Sequence, residues 1–279
     1  MIQAHQQLSL YGKKTFEKAI LKPPFRLLAQ MPDEACFYYV VRGSARVFTP
    51  SGNVNTETDE GLVLQCGTYF SDYVQTQEDE YCEAIAVHFY PEMLKMIYDK
   101  EFPKFLLEVK EMKPLPYEKH KASTLLKNYI NSLQFYFDNP ELVSDELLRI
   151  KMKELIILLA KTDNAETIQH LIARLFTKTE IDFKAVIEAN VFNNLSLEEL
   201  AALTQMSLSS FKREFARHYD CPPAKYIKQR KLEQASKLLL GTKLRVSDIA
   251  YDCGFADLAH FSKSFQKAYA CSPSEYRLG

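Results

Sequence analysis

The chain lacks any apolar run close to the roughly 20 residues that a membrane-spanning helix needs. Its apolar runs are short, as at Leu155–Ala160. The first residues, Met1–Lys14, contain no apolar core of the kind found in signal peptides. We therefore predict a cytoplasmic protein that has no membrane partner.

The sequence also lacks an excess of charge of either sign and any closely paired cysteine motif. Its 35 Lys and Arg residues stand against 36 Asp and Glu residues, so a nucleic-acid surface has to be a local patch. The six cysteines include no C-x-x-C pair that would suggest zinc, and we interpret them as reduced thiols. A length of 279 residues suffices for two modest domains.

Short strands are predicted over about residues 25–90. Apolar runs at Phe37–Val41, Ala45–Phe48 and Gly61–Leu64 are separated by turn-forming residues. Within Tyr81–Tyr90, large and mainly small side chains alternate, so each set lines one face of a strand. The small set either leaves room inside a barrel or packs tightly against a neighbouring sheet.

Two amphipathic helices are predicted next, over Ala122–Phe137 and Leu147–Ala160. The apolar stripe of the second is expected to begin with Leu147 and Ile150. The resulting helical hairpin either caps the sheet of its own chain or buries part of its stripe against another copy. We predict a homodimer formed through residues 121–162.

These patterns predict four segments along the chain. Residues 1–110 form the β domain, 111–162 the helical hairpin, 163–178 a linker helix and 179–279 a second domain. The second domain holds 14 Lys or Arg and 12 Asp or Glu residues, which is the sign of charge that a DNA-binding half needs.

The second domain contains an internal repeat. Five positions match at an offset of 49, where Leu195, Leu197, Glu199, Leu200 and Ala201 correspond to Leu244, Val246, Asp248, Ile249 and Ala250. Six further positions match at an offset of 50, where Phe211, Phe215, Tyr219, Cys221, Pro223 and Tyr226 correspond to Phe261, Phe265, Tyr269, Cys271, Pro273 and Tyr276.

Each copy is predicted to be a short helix, a tight turn and a second helix. In copy one, Ser196 and Glu199 form a capping box for the first helix, and Ser207 caps the second. In copy two, Gly254 lies in the turn and Asp257 caps the second helix. Such a unit is a helix-turn-helix, whose second helix can enter the major groove of DNA.

The second helix of each copy is predicted to have an inward and an outward side. The inward positions are Leu208, Phe211 and Phe215 in copy one, and Leu258, Phe261 and Phe265 in copy two. Arginine or lysine on the outward side can pair with guanine, although an exposed charge on a helix is commonly only solvated. We assign phosphate contacts to Ser207, Arg217, Lys225, Arg230, Ser262, Gln266 and Lys267.

A helix predicted over Ala224–Leu240 joins the two copies. At about 1.5 Å per residue it is about 25 Å long, comparable to the turn of about 34 Å that separates major-groove faces of B-form DNA. One chain could thus read two adjacent groove segments.

These residues resemble the AraC/XylS family of bacterial transcription regulators. The match spans roughly residues 179–279 and is most specific at Ile249–Phe255, His260–Phe265 and Ser272–Arg277. The resemblance implies that DNA bases are read by Ser209, Lys212, Arg213, Ala259, His260 and Lys263. Asp220 and Ala270 replace glycines that the family often has there, so we expect those turns to differ locally.

The N-terminal region resembles, more weakly, the cupin-like domains of such regulators, through Tyr39–Gly43 and Gly61–Leu64. The implied fold class is α+β, with an N-terminal cupin-like β-barrel carrying a helical hairpin and a C-terminal all-α domain with two helix-turn-helix motifs. His88 is the only histidine of the strand region, so we expect a packed imidazole, no metal site and no cofactor.

The indicated function is a sequence-specific transcription regulator, an activator, that binds double-stranded promoter DNA and, as the resemblance implies, RNA polymerase. A small molecule or a partner protein would control it at the N-terminal domain. An enzyme is disfavoured, with no catalytic residues assigned, because Glu83 and His88 lie on opposite strand faces. The alternative is an interaction protein that binds DNA without selectivity or acts as an anti-activator.

Overall fold

The computed structural model describes residues 1–74, 80–98, 117–121, 123–161 and 182–278. It contains two compact units, one of Met1–Thr49 with Val54–Glu180 and the other of Pro50–Asn53 with Ile181–Gly279. The linker helix predicted over 163–178 lies outside the described residues.

The first unit is built on two antiparallel sheets. Its strands are β1 (Ile2–Leu10), β2 (Lys13–Leu21), β3 (Phe25–Met31), β4 (Ala35–Arg42), β5 (Ser44–Thr49), β6 (Gly52–Glu57), β7 (Glu60–Leu64), β8 (Gly67–Val74), β9 (Cys82–Phe89) and β10 (Tyr117–Lys121). One sheet has the order β1-β2-β9-β4-β7-β10 and the other the order β3-β8-β5-β6. The predicted strands are confirmed as β4, β5, β7 and β9.

Strand formation begins earlier than the sequence indicates. Strands β1 and β2 precede the region predicted to form strands. β1 lies at the end of the described sheet order and pairs with β2, and most of its residues are exposed or half-buried. Since only Leu8 and Leu10 need be buried there, its sequence is too polar for a strand to be inferred from apolar runs.

The alternating side chains of β9 separate two apolar layers. Large residues such as Ile85 and Val87 pack with the helices of this unit. The small residues Cys82 and Ala84 lie between the two sheets, in the same buried cluster as Tyr69. The small face therefore meets a neighbouring sheet, whose bulky side chains occupy the space.

Three α-helices are described in the first unit: α1 (Pro91–Tyr98), α2 (Thr124–Asp138) and α3 (Asp145–Lys161). A 3-10 turn at Pro140–Leu142 lies between α2 and α3, which form the predicted hairpin. Buried residues of both helices share one cluster with the six-stranded sheet. The hairpin therefore caps the sheet of its own chain.

The predicted stripe of α3 is wrong at its start. Ile150 is 52% exposed, and Leu147 is only half-buried. The buried face consists of Leu148, Met152, Leu155, Ile156 and Leu159. Because α3 carries apolar residues on more than one side, helical periodicity alone does not determine which side meets the sheet.

The described part of the second unit beyond residue 181 is all-helical, so the α+β class is confirmed. Its helices are α4 (Phe183–Asn190), α5 (Leu197–Leu203), α6 (Leu208–Tyr219), α7 (Pro223–Gly241), α8 (Val246–Asp252), α9 (Leu258–Tyr269) and α10 (Pro273–Leu278). The capping box is present, since the Glu199 amide donates to Ser196 Oγ at 3.1 Å and the Ser196 amide to Glu199 Oε2 at 2.7 Å. Ser207 and Asp257 cap α6 and α9 as predicted.

Gly43 and Gly12 allow a matched test of packing in the first unit. Both have positive φ, +90° and +75° respectively. A Cβ on Gly43 would lie 2.7 Å from Cys82 Sγ and 3.2 Å from Cys82 Cα, whereas a Cβ on Gly12 would meet nothing within 4 Å. Gly12→Ala should lower the free energy of unfolding by about 1–2 kcal/mol through backbone strain, and Gly43→Ala by about 1–3 kcal/mol more through overpacking. Urea unfolding monitored by hydrogen exchange of the β4 and β5 amides measures the loss of unfolding free energy in each variant. Equal losses in the two variants would contradict the packing argument.

Candidate DNA interface

The turn between α5 and α6 sets the start of the first recognition helix. Gln205 adopts a left-handed φ of +55°, and the Met206 amide donates to the Ala201 carbonyl at 2.9 Å. Ser207 Oγ then accepts a hydrogen bond from the Ser210 amide at 3.2 Å. These contacts end α5 and begin α6 within four residues.

Buried aromatic side chains fix the inner side of α6. Phe211 and Phe215 are completely buried, and their ring centroids lie 5.6 and 6.2 Å from that of Phe183 in α4. The positions predicted to read bases, Ser209, Lys212 and Arg213, are exposed. They project from the side of α6 that faces away from this core.

The second recognition helix, α9, is held in the same way. Phe261 and Phe265 are completely buried, while Ala259, His260 and Lys263 are exposed. The outward row predicted for this helix is therefore accessible along its length.

The prediction that Leu258 lies on the buried inner side of α9 is wrong. Its side chain is 39% exposed. It follows the cap residue Asp257 directly, and the place next to Phe261 is taken by Phe255, whose ring lies 5.0 Å away. The preceding loop supplies this aromatic contact, and a helical pattern does not extend into that loop.

The two motifs repeat one aromatic cluster. In copy one, the ring centroid of Phe215 lies 4.5 Å from that of Tyr219 and 5.5 Å from that of Tyr226. In copy two, the ring centroid of Phe265 lies 4.5 Å from that of Tyr269 and 5.3 Å from that of Tyr276. The repeat in the sequence is thus a repeat in structure.

Both recognition helices end in the same left-handed conformation. Asp220 has a φ of +51° and Ala270 a φ of +62°. The local difference expected from the missing glycines is therefore absent at these two positions, since each residue takes the conformation that glycine favours.

Helix α7 separates the two motifs. Its 19 residues span about 28 Å at about 1.5 Å per residue. Lys225 and Lys228 on its first half are exposed. The predicted connecting helix is confirmed, with a length close to the groove spacing of DNA.

Most of the residues assigned to phosphate contacts are accessible. Those exposed are Ser207, Arg217, Lys225, Gln266 and Lys267, whereas Ser262 is half-buried. Arg217 forms an ion pair with Glu214, but its side chain remains 70% exposed. Such an exposed pair is weak, so it can exchange for a phosphate.

Arg230 is the exception among the phosphate candidates. Its Nη1 donates to Glu188 Oε2 and to the Tyr226 hydroxyl, both at 2.7 Å. Burial opposes ionisation of Glu188, but hydrogen bonds from Arg230 and Tyr226 outweigh it and lower the pKa of that carboxyl. The charge of Arg230 is therefore paired within the chain, with the side chains of Arg230 and Glu188 31% and 43% exposed. Sequence reasoning missed this because Glu188 lies 42 residues earlier in the chain.

In the first unit, His88 is packed rather than accessible. Its ring stacks on Tyr90 with 6.4 Å between centroids, and its Nδ1 lies 3.6 Å from Glu34 Oε1. Glu83 interacts elsewhere, with Lys18 Nζ at 3.2 Å. Within the described residues, no group of three or more His, Cys, Asp or Glu side chains is arranged to hold a metal ion.

None of the helices in the described ranges combines the length and the apolar character that crossing a bilayer requires.

Comparisons with known proteins match both halves of the chain. Residues 200–279 match a family model described as a helix-turn-helix domain, and residues 35–171 match that of the ExsA N-terminal regulatory domain. The chain is 25% identical over 260 residues to the virulence regulon transcriptional activator VirF of Yersinia enterocolitica serotype O:8, covering 92% of this chain and 93% of VirF. It is 26% identical over 130 residues to the transcriptional regulator ExsA of Pseudomonas aeruginosa, covering 47% of each.

Among solved structures, ToxT of Vibrio cholerae with a bound unsaturated fatty acid is similar. The alignment covers 95% of this chain and 96% of ToxT, with 13% identity and a TM-score of 0.41.

Ala270 and Asp220 allow a test of strain at the ends of the recognition helices. Ala270→Gly should raise the free energy of unfolding by about 1 kcal/mol, because alanine is strained at a positive φ and glycine is not. Asp220→Gly should raise the free energy of unfolding by less, since aspartate tolerates the left-handed conformation better than alanine does. Urea unfolding of the two variants measures the difference, and a stability loss on Ala270→Gly would refute the strain.

Proposed function

The chain belongs to the AraC/XylS family of transcription regulators, and from this premise we propose that it binds specific promoter sequences and activates transcription in the cytoplasm. The proposal depends on one observation above all. Two recognition helices of 12 residues each carry an aromatic inner side and an exposed, partly basic outer side.

Base reading is assigned to the outward rows. Lysine and arginine in the major groove pair with guanine O6 and N7, and each good contact is worth about 1–3 kcal/mol of discrimination. The row of α6 contributes Ser209, Lys212 and Arg213, and that of α9 contributes Ala259, His260 and Lys263. The phosphate contacts are then made by Ser207, Arg217, Lys225, Arg230, Ser262, Gln266 and Lys267, and Arg230 exchanges its ion pair with Glu188 for a phosphate when DNA binds.

The regulatory partners are assigned to the first unit and to the transcription machinery. We propose that a small molecule or a partner protein acts on the N-terminal unit, and that RNA polymerase is the partner in activation. The match to the ExsA regulatory domain supports the first assignment, and the similarity to the activator VirF supports the second.

Self-association is assigned to the hairpin of α2 and α3. Ile150 and Ile157 lie seven residues apart on α3, on one side of the helix, and are 52% and 42% exposed. The sheet of the same chain leaves these two side chains uncovered. We therefore propose that residues 121–162 also form a homodimer contact.

Selection of bound fragments from genomic DNA, with and without cell extract, tests the function. A regulator should enrich a few promoter fragments and prefer them over random DNA by about 10³-fold or more. Recovery of fragments without sequence preference would indicate non-selective binding, and recovery of no DNA would indicate an anti-activator that binds another protein. Either result contradicts the proposal.

Arg213 and Lys225 form a matched pair for testing the interface. Arg213→Ala should weaken binding to an enriched site by about 1–3 kcal/mol and relax the preference at one base pair. Lys225→Ala should weaken binding to enriched and scrambled DNA alike and reduce the salt dependence. Gel-shift titrations on both duplexes measure the effects. Equal losses on the two duplexes for Arg213→Ala would rule out base reading by Arg213.

Ile157→Glu tests the dimer assignment. A carboxylate in a desolvated apolar contact is costly, so the variant should sediment as a monomer at micromolar concentrations where the unmodified chain is a dimer. Met96→Glu on α1 is the control, because Met96 is 50% exposed but lies outside residues 121–162. A monomeric unmodified chain, or a dimer retained by Ile157→Glu, would contradict the assignment.

A further inference from the structure

Lys231 joins the two helix-turn-helix motifs from the middle of α7. Its Nζ donates to the Gly254 carbonyl at 2.8 Å and to the Asn193 carbonyl at 3.3 Å. Asn193 lies in the loop between α4 and α5, and Gly254 in the turn between α8 and α9. One ammonium group therefore binds the backbone in front of the first motif and the backbone in the turn of the second motif.

The partners of Lys231 are unusual for a lysine. Within residues 182–278, no carboxylate forms a salt bridge with it. Burial lowers the pKa of Lys231, which the nearby Cys253 thiol opposes. The side chain is half-buried, and its two carbonyl contacts replace the water that an exposed ammonium would bind.

A direct backbone contact accompanies these hydrogen bonds. A Cβ on Gly254 would lie 2.1 Å from the Phe192 carbonyl oxygen. The turn of the second motif therefore rests on the loop in front of the first motif, at a distance that only glycine permits. Lys231 Nζ lies 3.0 Å from the same Cβ position, so the ammonium group packs against one side of this backbone contact.

The apolar cores of the two motifs are otherwise separate. Phe211 and Phe215 belong to a cluster with α4 and α5, while Phe261 and Phe265 belong to a cluster with α8 and the second half of α7. Without a shared core, the angle between the motifs depends on α7 and on the contact at Lys231. Gentle curvature of a long helix is enough to change the angle between elements packed at its two ends.

We propose that Lys231 is a positioning residue that fixes the separation and angle of α6 and α9, and so sets the spacing between the two DNA subsites that one chain reads. The inference depends on the proposed function, because it requires both helices to bind DNA. It concerns the geometry of reading and assigns no DNA contact to Lys231 itself.

The test uses the full chain and a duplex that carries an enriched genomic site. Versions of the duplex with one base pair inserted or deleted between the two subsites give the spacing penalty, the ratio of dissociation constants on altered and original DNA. For the unmodified chain, the dissociation constant on the altered duplex should be about tenfold higher, or more, than on the original duplex. Lys231→Met keeps the apolar stem but removes the donors, so its penalty should fall to about threefold or less.

Two further variants separate positioning from general effects. Lys237→Met removes an exposed charge from the same helix and should keep the full spacing penalty. Lys231→Arg restores a donor that reaches two carbonyls, and should restore most of the penalty. Should Lys231→Met not fold, Lys231→Gln replaces it in the same measurement.

The outcomes distinguish this inference from the function on which it depends. An unmodified chain without sequence preference contradicts the proposed function. A chain that binds specifically but shows no spacing penalty, or the same penalty in Lys231→Met, overturns only the role of Lys231. Failure of both the Met and Gln variants to fold, while the Arg variant folds, would likewise overturn it in favour of a purely structural role.

Discussion

The burial of two phenylalanines, four residues apart on each recognition helix, determines how the rest of the second unit is arranged. Burying such a side chain is worth about 1.5–3 kcal/mol, whereas an exposed ion pair contributes about 0–1 kcal/mol. Phe211 with Phe215, and Phe261 with Phe265, therefore decide which side of α6 and α9 faces the core. The outer rows contribute little to folding, so their residues are free to be chosen for DNA binding.

The repeat made this arrangement predictable from sequence. The same aromatic residues recur at a fixed offset, and each cap residue precedes its helix, so both motifs and the outward positions of α6 and α9 could be inferred. What could not be inferred depends on contacts between distant residues. Arg230 pairs with Glu188 and Lys231 binds two backbone carbonyls, and neither partner is marked by any local pattern.

The first unit shows a different limit of sequence reasoning. A continuous apolar run identified β4, which is buried on both faces, and alternation of large and small side chains identified β9. Such patterns failed for β1, whose backbone pairs with β2 while many of its side chains stay in solvent. Helical periodicity likewise misplaced the start of the buried stripe of α3, because a helix with apolar residues on two sides satisfies more than one orientation.

A chain with a net charge of -1 can attract DNA because charges act locally. At physiological ionic strength the Debye length is about 8 Å, so an exposed basic patch acts on DNA through its own charges and not through the net charge of the chain. One acidic group on α6 is already paired, since Glu214 binds Arg217 and His218. Lys212, Arg213 and Lys225 have no ion-pair partner within residues 182–278, and they are exposed. Exposed basic side chains therefore line the outer side of α6 and the start of α7, and on α6 the burial of Phe211 and Phe215 fixes which side that is.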